Sequence, residues 1–494
     1  MRRLCFAELG SVPPELAPRV DPRSLPVGIV HLGIGAFHRA HQAVFTEDAV
    51  AAAGGDWGIC GVTQRSADVL EQLAPQDGLY TLLEQSAAGP SARVIGTVRD
   101  LLFAAEDWDG LRTRLSAPST RLVTLTVTEK GYRHDGVTGR LRAADVDLIA
   151  DAEGRSPRTV VGQLVRGLQA RRAADAGPVT LLSCDNLVSN GALLRRLVQD
   201  FCAMLPSAQG EPLAEWIAQS VAFPSSMVDR IVPATTPEDR AEVARLLGLE
   251  DRGAVVTEPF RQWVVEDTFA AGRPAWELAG AIMTADVAPY EALKLRLLNG
   301  SHSAIAYLGV LAGHEYVAEA VREPAIGEFV ARLMAEDITP TLSVPAGFDL
   351  NAYRKELIDR FGNPALRHRT QQIAMDGTQK LPQRLLGTIR DRLGAGAEPR
   401  LACLAVAAWM RFVSAGQADD GTPVVVDDPL AARLATAVAG AETPANVVDA
   451  LLGVREVFGD DLPADETFRA LLETALDTLT RSGASAAVRE AVAS

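Results

Sequence analysis

The chain is poor in cysteine and in long apolar runs. Its five cysteines are scattered, odd in number and form no CxxC pair. This usage predicts neither a disulfide framework nor a zinc ribbon, and it is typical of a reducing compartment. No apolar run reaches the roughly 18 residues that a bilayer-spanning helix needs, and the N-terminus MRRLCFAELG lacks the apolar stretch of a signal peptide. We therefore expect a cytoplasmic protein without a membrane partner.

Positive charge is also scarce. The 48 Lys and Arg residues against 63 Asp and Glu give a net charge of −15. This balance argues against nucleic acid or an anionic membrane as the main partner and favours a small-molecule substrate. An anionic substrate stays possible, because a local cationic pocket can form inside an acidic protein. Composition leaves the oligomeric state open.

Two kinds of pattern divide the chain. Apolar runs at 27–35, 57–62, 121–130 and 177–186 predict strands, and residues 38–54 predict a helix that ends at a glycine. This alternation is typical of a parallel α/β sheet, whereas 86–92 is typical of a loop. From about residue 286 onward, Ala, Leu, Arg and Glu dominate, and the pattern predicts mostly helix.

A glycine-rich turn follows the first predicted strand and opens the first helix. At this position a dinucleotide pyrophosphate meets a helix N-terminus in nucleotide-binding α/β folds. Gly33 would allow the tight turn and Gly35 the close approach of the phosphates, although His38 stands where the usual third glycine would be. The alternative is that these glycines only close a β-α turn.

The end of the second predicted strand does not decide between NAD and NADP. NAD-binding folds usually carry an acid there for the ribose hydroxyls, but this strand ends Val62-Thr63-Gln64-Arg65 and the nearest acid is Asp68. Because Arg65 can meet a 2′-phosphate, the spacing does not exclude NADP.

His38 and His41 have the HxxH spacing of two metal ligands on one helix. No obvious third ligand accompanies them, so we expect packing or phosphate contacts here and no metal.

Lys294, Asn299 and His302 lie in one predicted helix, PYEALKLRLLNGSHSAIAYLG (289–309). At about 100° per residue, the angles from Lys294 are about 60° for Glu291, about 80° for His302 and about 140° for Asn299. An amine, an amide, an imidazole and a carboxylate on one arc indicate a site that handles protons.

The alternative for this helix is a solvated polar face. Two details favour function. Leu298 lies on the same arc, and Gly300 sits inside the helix at a cost of about 1 kcal/mol relative to alanine, which indicates a close approach.

The chain resembles the mannitol dehydrogenase family of polyol-specific long-chain dehydrogenases and reductases, with the greatest likeness to its fructuronate-reducing members. The motifs that carry the resemblance are spread over nearly the whole chain: GIGAFHRAHQ (33–42), TVTEKGY (126–132), SCDNLVSNG (183–191), FPSSMVDRIVP (223–233), EPFRQWVVEDTFAAGRP (258–274), KLRLLNGSHS (294–303) and DGTQKLPQRL (376–385).

The resemblance implies a Rossmann-type NAD-binding domain over 1–285 and a mostly α-helical substrate and catalytic domain over 286–494, with the active site in the cleft between them. It implies a metal-independent NAD(H) reaction at a secondary alcohol of a linear sugar derivative. The implied cofactor contacts are Gly33, Ile34, Gly35, Ala36, Phe37, Arg39, Asp68, Val228 and Asp229.

The resemblance also implies catalytic roles. Lys294 is the general acid/base, Asn299 and Asn190 polarise the reacting oxygen, His302 orients the substrate, and Glu291 exchanges protons with the site. A lysine that accepts a proton at neutral pH needs a pKa below its ordinary value of about 10.4. For Asn190, the residue pattern alone fits a turn after a strand equally well.

The substrate is either a sugar acid or a polyol. A uronate carries a carboxylate that needs Arg or Lys, and the candidates are Lys380 first and Arg384 second, with Arg367 and Arg369 just upstream. The leading hypothesis is fructuronate + NADH giving D-mannonate. The alternatives are a mannitol 2-dehydrogenase or another polyol dehydrogenase and, from a different class, a non-catalytic sensor of NAD(H).

Overall fold

In the computed structural model the chain forms two units, Met1–Ala288 and Pro289–Ser494. The structure describes residues 1–86, 88–136 and 138–493. The boundary between the units lies close to the predicted one at 285/286. The roles assigned to the two parts stay predictions.

Strands occur in the first unit. Their bounds are β1 (Val27–Leu32), β2 (Gly58–Thr63), β3 (Tyr80–Ser86), β4 (Gly89–Ile95), β5 (Val98–Phe103), β6 (Leu122–Leu125), β7 (Val179–Ser183), β8 (Val221–Ala222), β9 (Ser226–Asp229), β10 (Val255–Thr257), β11 (Gln262–Glu266) and β12 (Ile282–Thr284). The four strands expected from apolar runs are β1, β2, β6 and β7, and they are confirmed.

The helices of the first unit cover the faces of its sheets or connect the strands. They are α1 (Ala36–Ala40), α2 (Gln42–Ala53), α3 (Asp68–Leu73), α4 (Trp108–Leu115), α5 (Val146–Ala152), α6 (Val160–Ala173), α7 (Asn190–Met204), α8 (Ser207–Ser220) and α9 (Pro237–Leu247). A tenth, α10 (Ala288–Leu293), begins at the unit boundary.

The second unit is helical, as predicted. After α10 its helices are α11 (Ser301–Leu311), α12 (Val317–Arg322), α13 (Pro324–Arg332), α14 (Leu350–Phe361), α15 (Thr370–Ala374), α16 (Gly377–Leu381), α17 (Gly387–Gly394), α18 (Arg400–Ala415), α19 (Ala431–Val438), α20 (Pro444–Leu452), α21 (Arg455–Phe458), α22 (Glu466–Ser482) and α23 (Ala484–Ala493). Helix α18 is buried from Leu401 to Met410 and forms the centre of this unit's core.

The main sheet has the strand order β5-β2-β1-β6-β7-β8 with every pair parallel. In sequence order of the six strands this is 3-2-1-4-5-6, the order of dinucleotide-binding folds. The order reverses between β1 and β6, and in open α/β sheets ligands bind in the crevice at the carboxyl ends of the strands at such a point. The predicted fold class, an α/β Rossmann-type part followed by a mostly helical part, is confirmed.

His31 fixes the pairing of β1 with β6 at this reversal. It is fully buried, its Nδ1 lies 2.7 Å from Thr124 Oγ1 and its Nε2 lies 2.9 Å from Thr126 Oγ1. The Thr126 hydroxyl donates to the Gly33 carbonyl at 2.8 Å, so it accepts from His31 Nε2–H, and Nδ1 accepts from Thr124. A neutral imidazole therefore ties β1, β6 and the turn after β1 together.

Two local expectations are wrong. Residues Gly89–Ile95 form β4, which pairs antiparallel with β3, instead of the loop predicted at 86–92. Strand β4 is at the edge of its sheet, where Pro90 loses no ladder hydrogen bond. The helix predicted at 38–54 is interrupted at His41, whose backbone (φ −126°, ψ −85°) is not helical, although it does end at Gly54.

The helix that carries Lys294 is not a regular α-helix. Between α10 and α11, residues Lys294–Gly300 form a π-helical turn, and such turns occur frequently at functional sites. The wheel angles drawn for a regular helix are therefore wrong beyond Lys294. The close approach expected at Gly300 is confirmed: the backbone of Arg384 packs against it, and a Cβ at residue 300 would lie 2.7 Å from the Arg384 carbonyl oxygen.

We predict that His31 makes the protein less stable in mild acid. Burial, opposed in part by the Gly33 carbonyl oxygen 3.2 Å from Nε2, lowers the pKa of His31 from 6.5 to about 3. Below about pH 6.5 the unfolded chain takes up a proton that the folded chain does not, so stability falls by up to about 1.4 kcal/mol per pH unit. Denaturant unfolding at several pH values should give a shallower dependence for His31→Gln. An unchanged dependence would contradict this account.

We also predict that Gly300→Ala destabilises the protein by about 1–3 kcal/mol, because the added methyl group collides with the Arg384 backbone. Gly394→Ala is the matched control, since a Cβ at this last residue of α17 meets nothing within 4 Å. Thermal melts should separate the two variants, and equal melting temperatures would contradict the close contact.

Candidate active site

A cleft of about 340 Å³ lies where the order of the main sheet reverses. Its walls are the segments that follow β1, β2 and β6 together with the start of α6. The lining residues are Gly33, Ile34, Gly35, Thr63, Gln64, Arg65, Ser66, Val69, Thr126, Val127, Thr128, Gly131, Arg133, Arg158, Thr159 and Val160.

The two glycines of the turn are required for different reasons. Gly33 has φ +96°, and a Cβ there would lie 2.2 Å from the Thr126 carbonyl oxygen, so the fold itself excludes a side chain. At Gly35 the nearest atom to an added Cβ would be 3.8 Å away. Packing leaves room at Gly35, which is exposed on the cleft. Because Gly35 has no side chain and faces open space, a pyrophosphate can come close to its backbone. The cleft therefore fits a dinucleotide.

Six predicted cofactor contacts do not line this cleft, and two of them, Val228 and Asp229, lie at the end of strand β9. Ala36 and Phe37 occupy the first turn of α1, and Asp68 is exposed at the start of α3. Arg39 is buried and points the other way: its guanidinium donates to the carbonyls of Gly35 and Gly253. The helix turns the side chain of Arg39 inward, so it supports the glycine turn from behind.

Apart from Gly33–Gly35 and the end of the second strand up to Arg65, the cleft walls were not predicted from the sequence. Thr63–Ser66 continue β2, and Thr126–Thr128 continue β6, both at carboxyl ends beside β1. The predicted strands contained the signal, because residues that follow neighbouring parallel strands meet at one edge of the sheet. No feature of the sequence indicated that Arg158–Val160 would line the cleft.

Asp185 holds the wall that follows β6. Its buried carboxylate accepts hydrogen bonds from the backbone N–H groups of Val127 (3.0 Å) and Thr128 (2.8 Å) and from the Tyr132 hydroxyl (2.6 Å). Burial raises the pKa of Asp185, and these three donors oppose the change. Asp185 therefore holds in place the backbone that follows β6 and forms this wall of the cleft.

His38 and His41 do not point at a common centre. The His38 ring stacks on His31 with centroids 3.4 Å apart, and His41 Nε2 lies 2.9 Å from the Gln262 carbonyl oxygen. In residues 1–86, 88–136 and 138–493 no group of three or more His, Cys, Asp or Glu side chains is arranged to hold a metal ion.

Asn190 has its side-chain amide fully engaged. The two Nδ2 protons are donated to the carbonyls of Asp185 (3.0 Å) and Ser226 (2.8 Å), and Oδ1 accepts from Ser226 N–H (2.9 Å). The amide connects the start of α7 to β9. Donation to a reacting oxygen, the role implied by resemblance, would require one of these bonds to open.

Val228 and Asp229 end strand β9, which pairs antiparallel with β11. Both residues are buried, at 4% and 5% exposure. Their contact with a cofactor stays a prediction.

In the second unit, the polar residues of the interrupted helix differ in exposure. Lys294 and His302 are each only 9% exposed, so a solvated face is wrong for these two. Asn299, inside the π-helical turn, and Glu291, on α10, are partly exposed. Burying an amine and an imidazole costs free energy. Two such buried groups on one helix therefore indicate a functional site more than a solvated surface.

Cationic side chains gather around His302. Arg384 Nη1 donates to Ser303 Oγ at 3.0 Å and to the Asn299 carbonyl at 3.4 Å, which places it against the same helix. Lys380 Nζ donates to the carbonyls of Ile373 and Met375.

His302 also packs against His368, with ring centroids 4.9 Å apart. Burial, followed by the charges of His368, Arg384, Arg360 and Lys380, lowers the pKa of His302 well below 6.5. Burial likewise lowers the pKa of Arg384 to about 10, and burial together with Arg384 lowers that of Lys380. His302 Nε2 is buried without a hydrogen-bond partner. A cluster of this kind is suited to an anion.

No helix among the described residues is both long enough and apolar enough to cross a bilayer.

Two family models match the chain: the mannitol dehydrogenase Rossmann domain over residues 27–278 and the mannitol dehydrogenase C-terminal domain over 286–480. The chain is 44% identical to the uncharacterized oxidoreductase YeiQ of Escherichia coli K12, covering 95% of each chain. It is 43% identical to the D-mannonate oxidoreductase of the same organism, covering 97% of this chain and 98% of that one.

Among solved structures, the chain is similar to Pseudomonas fluorescens mannitol 2-dehydrogenase, determined as a ternary complex with NAD and D-mannitol. The identity is 37%, the TM-score is 0.85, and 99% of each chain is covered. With both family models matched and relatives covered over nearly their whole length, the chain belongs to the mannitol dehydrogenase family of oxidoreductases.

Proposed function

We propose that this protein is an NADH-dependent, metal-independent reductase that converts the keto group of fructuronate to the secondary alcohol of D-mannonate, and catalyses the reverse reaction. The observation that carries the substrate is the position of Arg384, which donates to Ser303 Oγ and to the Asn299 carbonyl beside His302, with Lys380 four residues before it. A uronate has a carboxylate that can accept charge-assisted hydrogen bonds from Lys380 and Arg384, whereas a linear polyol has no charged group for them.

The cofactor assignment rests on the cleft of the first unit. Gly33, Gly35 and the segments after β2 and β6 would hold the dinucleotide, with its pyrophosphate over the open face of Gly35. NAD(H) supplies the hydride for reduction and accepts it for oxidation. The complex of the Pseudomonas fluorescens relative with NAD supports this assignment.

Lys294 is the proposed acid/base. As an ammonium it donates a proton to the carbonyl oxygen during reduction, and as an amine it takes the hydroxyl proton during oxidation. This group moves the proton without a metal ion. The side-chain amide of Asn299, partly exposed, donates to the same oxygen and stabilises the charge that develops there.

His302 and the cationic cluster orient the substrate in this scheme. The partner-free Nε2 of His302 is placed to bond a substrate hydroxyl. Lys380 and Arg384 take the carboxylate, and the negative charge offsets the burial that lowers the pKa of both groups. Glu291 is proposed to exchange protons with the site, while Asn190 positions α7 and β9.

Mannitol 2-dehydrogenase activity is the second candidate, favoured by the overall match to the Pseudomonas fluorescens structure with D-mannitol. NADH oxidation by the purified protein with fructuronate, tagaturonate and fructose at equal concentrations separates the two. A preference for fructuronate supports the proposal. A preference for fructose makes the protein a mannitol dehydrogenase, and no turnover with any ketose favours a sensor of NAD(H).

We predict that Lys294→Ala lowers kcat by roughly 10²–10⁴-fold, the usual contribution of a positioned acid/base, with little change in the dissociation constant for NADH. Steady-state kinetics and NADH fluorescence titration measure the two quantities. Lys355→Ala is the matched control, since Lys355 is exposed on α14. A Lys294→Ala variant that keeps most of its activity would contradict the assigned role.

We further predict that Lys380→Ala reduces kcat/KM for fructuronate at least about tenfold more than for fructose, because a charge-assisted bond to the carboxylate is lost. The ratio is the informative quantity. Lys380 also holds the carbonyls of Ile373 and Met375, and that structural loss affects both substrates alike. Equal losses would refute the carboxylate role of Lys380.

A further inference from the structure

The first unit contains a second cavity, of about 380 Å³, that shares no residue with the dinucleotide cleft. Its walls come from the β3–β4 hairpin, from α2, from the segment between β10 and β11 and from the stretch before β1. This volume is in the range of small-molecule sites. Six of the eleven lining residues are ionisable, which favours a polar ligand. They are Glu15, Arg19, Asp48, Glu84, Arg93 and Arg261.

Local structure brings these side chains together. Strands β3 and β4 pair antiparallel with Glu84 opposite Ser91, and side chains alternate between the two faces of a strand. Arg93, two residues after Ser91, therefore lies on the same face of the hairpin. Asp48 follows Val44 by four residues on α2, which places both on one side of that helix. The hairpin and the helix thus present a charged surface to the cavity that they line.

Three guanidinium groups share the carboxylate of Asp48. Its Oδ1 pairs with Arg19 Nη1 at 2.8 Å and with Arg93 Nη1 at 2.7 Å, and its Oδ2 pairs with Arg261 Nη2 at 2.8 Å. Burial opposes ionisation, but Arg93 and Arg261 hold the pKa of Asp48 below its usual value. The neighbouring Glu47 does not line the cavity; it is fully buried, and backbone N–H groups donate to its carboxylate. One carboxylate in the cavity wall therefore has three positive partners.

The same arginines are not fully hydrogen-bonded. A guanidinium carries five N–H groups. Within the described residues, the side chain of Arg93 uses only Nη1, on Asp48, and that of Arg261 uses only Nη2, on Asp48 and the Ala279 carbonyl. The Arg93 side chain is only 13% exposed, so its remaining donors face the cavity that it lines. An oxyanion in the cavity would accept charge-assisted hydrogen bonds from these groups.

The acidic side chains favour a ligand that also has hydroxyl groups. Glu84 pairs with Arg230, whose side chain is completely buried, so the charge of Glu84 is already balanced. Its Oε2 lies 3.5 Å from Ser91 Oγ, and Glu15 is exposed. Carboxylate oxygens accept hydrogen bonds from hydroxyl groups but repel a second anion. A matching ligand therefore has its negative charge at the arginines and hydroxyl groups elsewhere.

We propose that this cavity binds the phosphate monoester of a small sugar, with the phosphate at Arg19, Arg93 and Arg261 and the sugar hydroxyls at Glu84 and Ser91. A phosphate monoester carries about −1.5 to −2 charges at neutral pH and has three terminal oxygens, enough to accept from three guanidinium groups. A carboxylate has one charge and two oxygens, so it matches three arginines less well.

Isothermal titration calorimetry of the full chain, with and without saturating NADH, tests the site. The probes are glucose 6-phosphate, glucose, inorganic phosphate and glucuronate, which has a carboxylate at the same end of the sugar. We expect glucose 6-phosphate to bind about tenfold or more tightly than glucose or inorganic phosphate, because only the ester contacts both the arginines and the hydroxyl acceptors. NADH should not displace it, since the two cavities have no residue in common.

Variants locate the binding. Arg93→Gln should weaken the binding of glucose 6-phosphate about tenfold or more and leave any binding of glucuronate unchanged. Arg19→Gln should weaken it about threefold or more. The Arg19 side chain is 57% exposed, so this variant keeps the fold even where Arg93→Gln does not. Arg112→Gln is the matched control, because the Arg112 side chain is 49% exposed, pairs with Asp109 and does not line the cavity.

The outcomes separate the alternatives. Loss of affinity in the two cavity variants but not in Arg112→Gln supports the site. No binding of glucose 6-phosphate overturns it and leaves the arginines as an ion-pair network that joins α2 to the hairpin. Binding that both cavity variants leave unchanged, or that NADH abolishes, also overturns it, because the ligand then lies elsewhere. Binding of glucuronate that Arg93→Gln weakens equally overturns the choice of a phosphate ester.

Discussion

The pairing of β1 with β6 is the constraint on which the first unit depends. A parallel sheet whose order reverses at this pair has a crevice at the carboxyl ends of the two strands, and the nucleotide cleft occupies it. His31 holds the two strands together by linking β1 to Thr124 and Thr126. Thr126 in turn donates a hydrogen bond to the Gly33 carbonyl. A neutral histidine is suited to this place because it donates from one nitrogen and accepts at the other.

In the second unit the equivalent constraint is the approach of two backbones. The π-helical turn after α10 presents Gly300 to the Arg384 carbonyl, and only a glycine leaves room for that contact. The same approach brings Arg384 to Ser303 and Asn299, so the cationic cluster and the candidate acid/base belong to one packed assembly. Packing against a neighbouring segment thus decides where the charges of this unit lie.

The parts of the fold that depend on the local residue pattern were predicted from the sequence. Four buried strands, the helix end at Gly54 and the helical second half follow from apolar runs, glycine and the loss of β-branched residues. Strand β4 escaped prediction because its Gly, Pro and Ser resemble a loop, and only pairing with β3 makes it a strand. The angles around Lys294 were wrong because no local rule places a π-helical turn in a sequence rich in leucine and alanine.

The candidate site divides in a similar way. The sequence by itself determined which chemical groups are present: the glycines of the turn, Lys294, Asn299, His302 and the basic residues near Lys380. Only the tertiary structure decided which of them share a surface. In the folded protein Arg39 points inward and Asp68 lies outside the cleft lining. Both side-chain amide protons of Asn190 are hydrogen-bonded. Arg65 and Arg158 line the cleft. The physical reason is that a side chain's identity is local, whereas its burial and partners depend on segments far away along the chain.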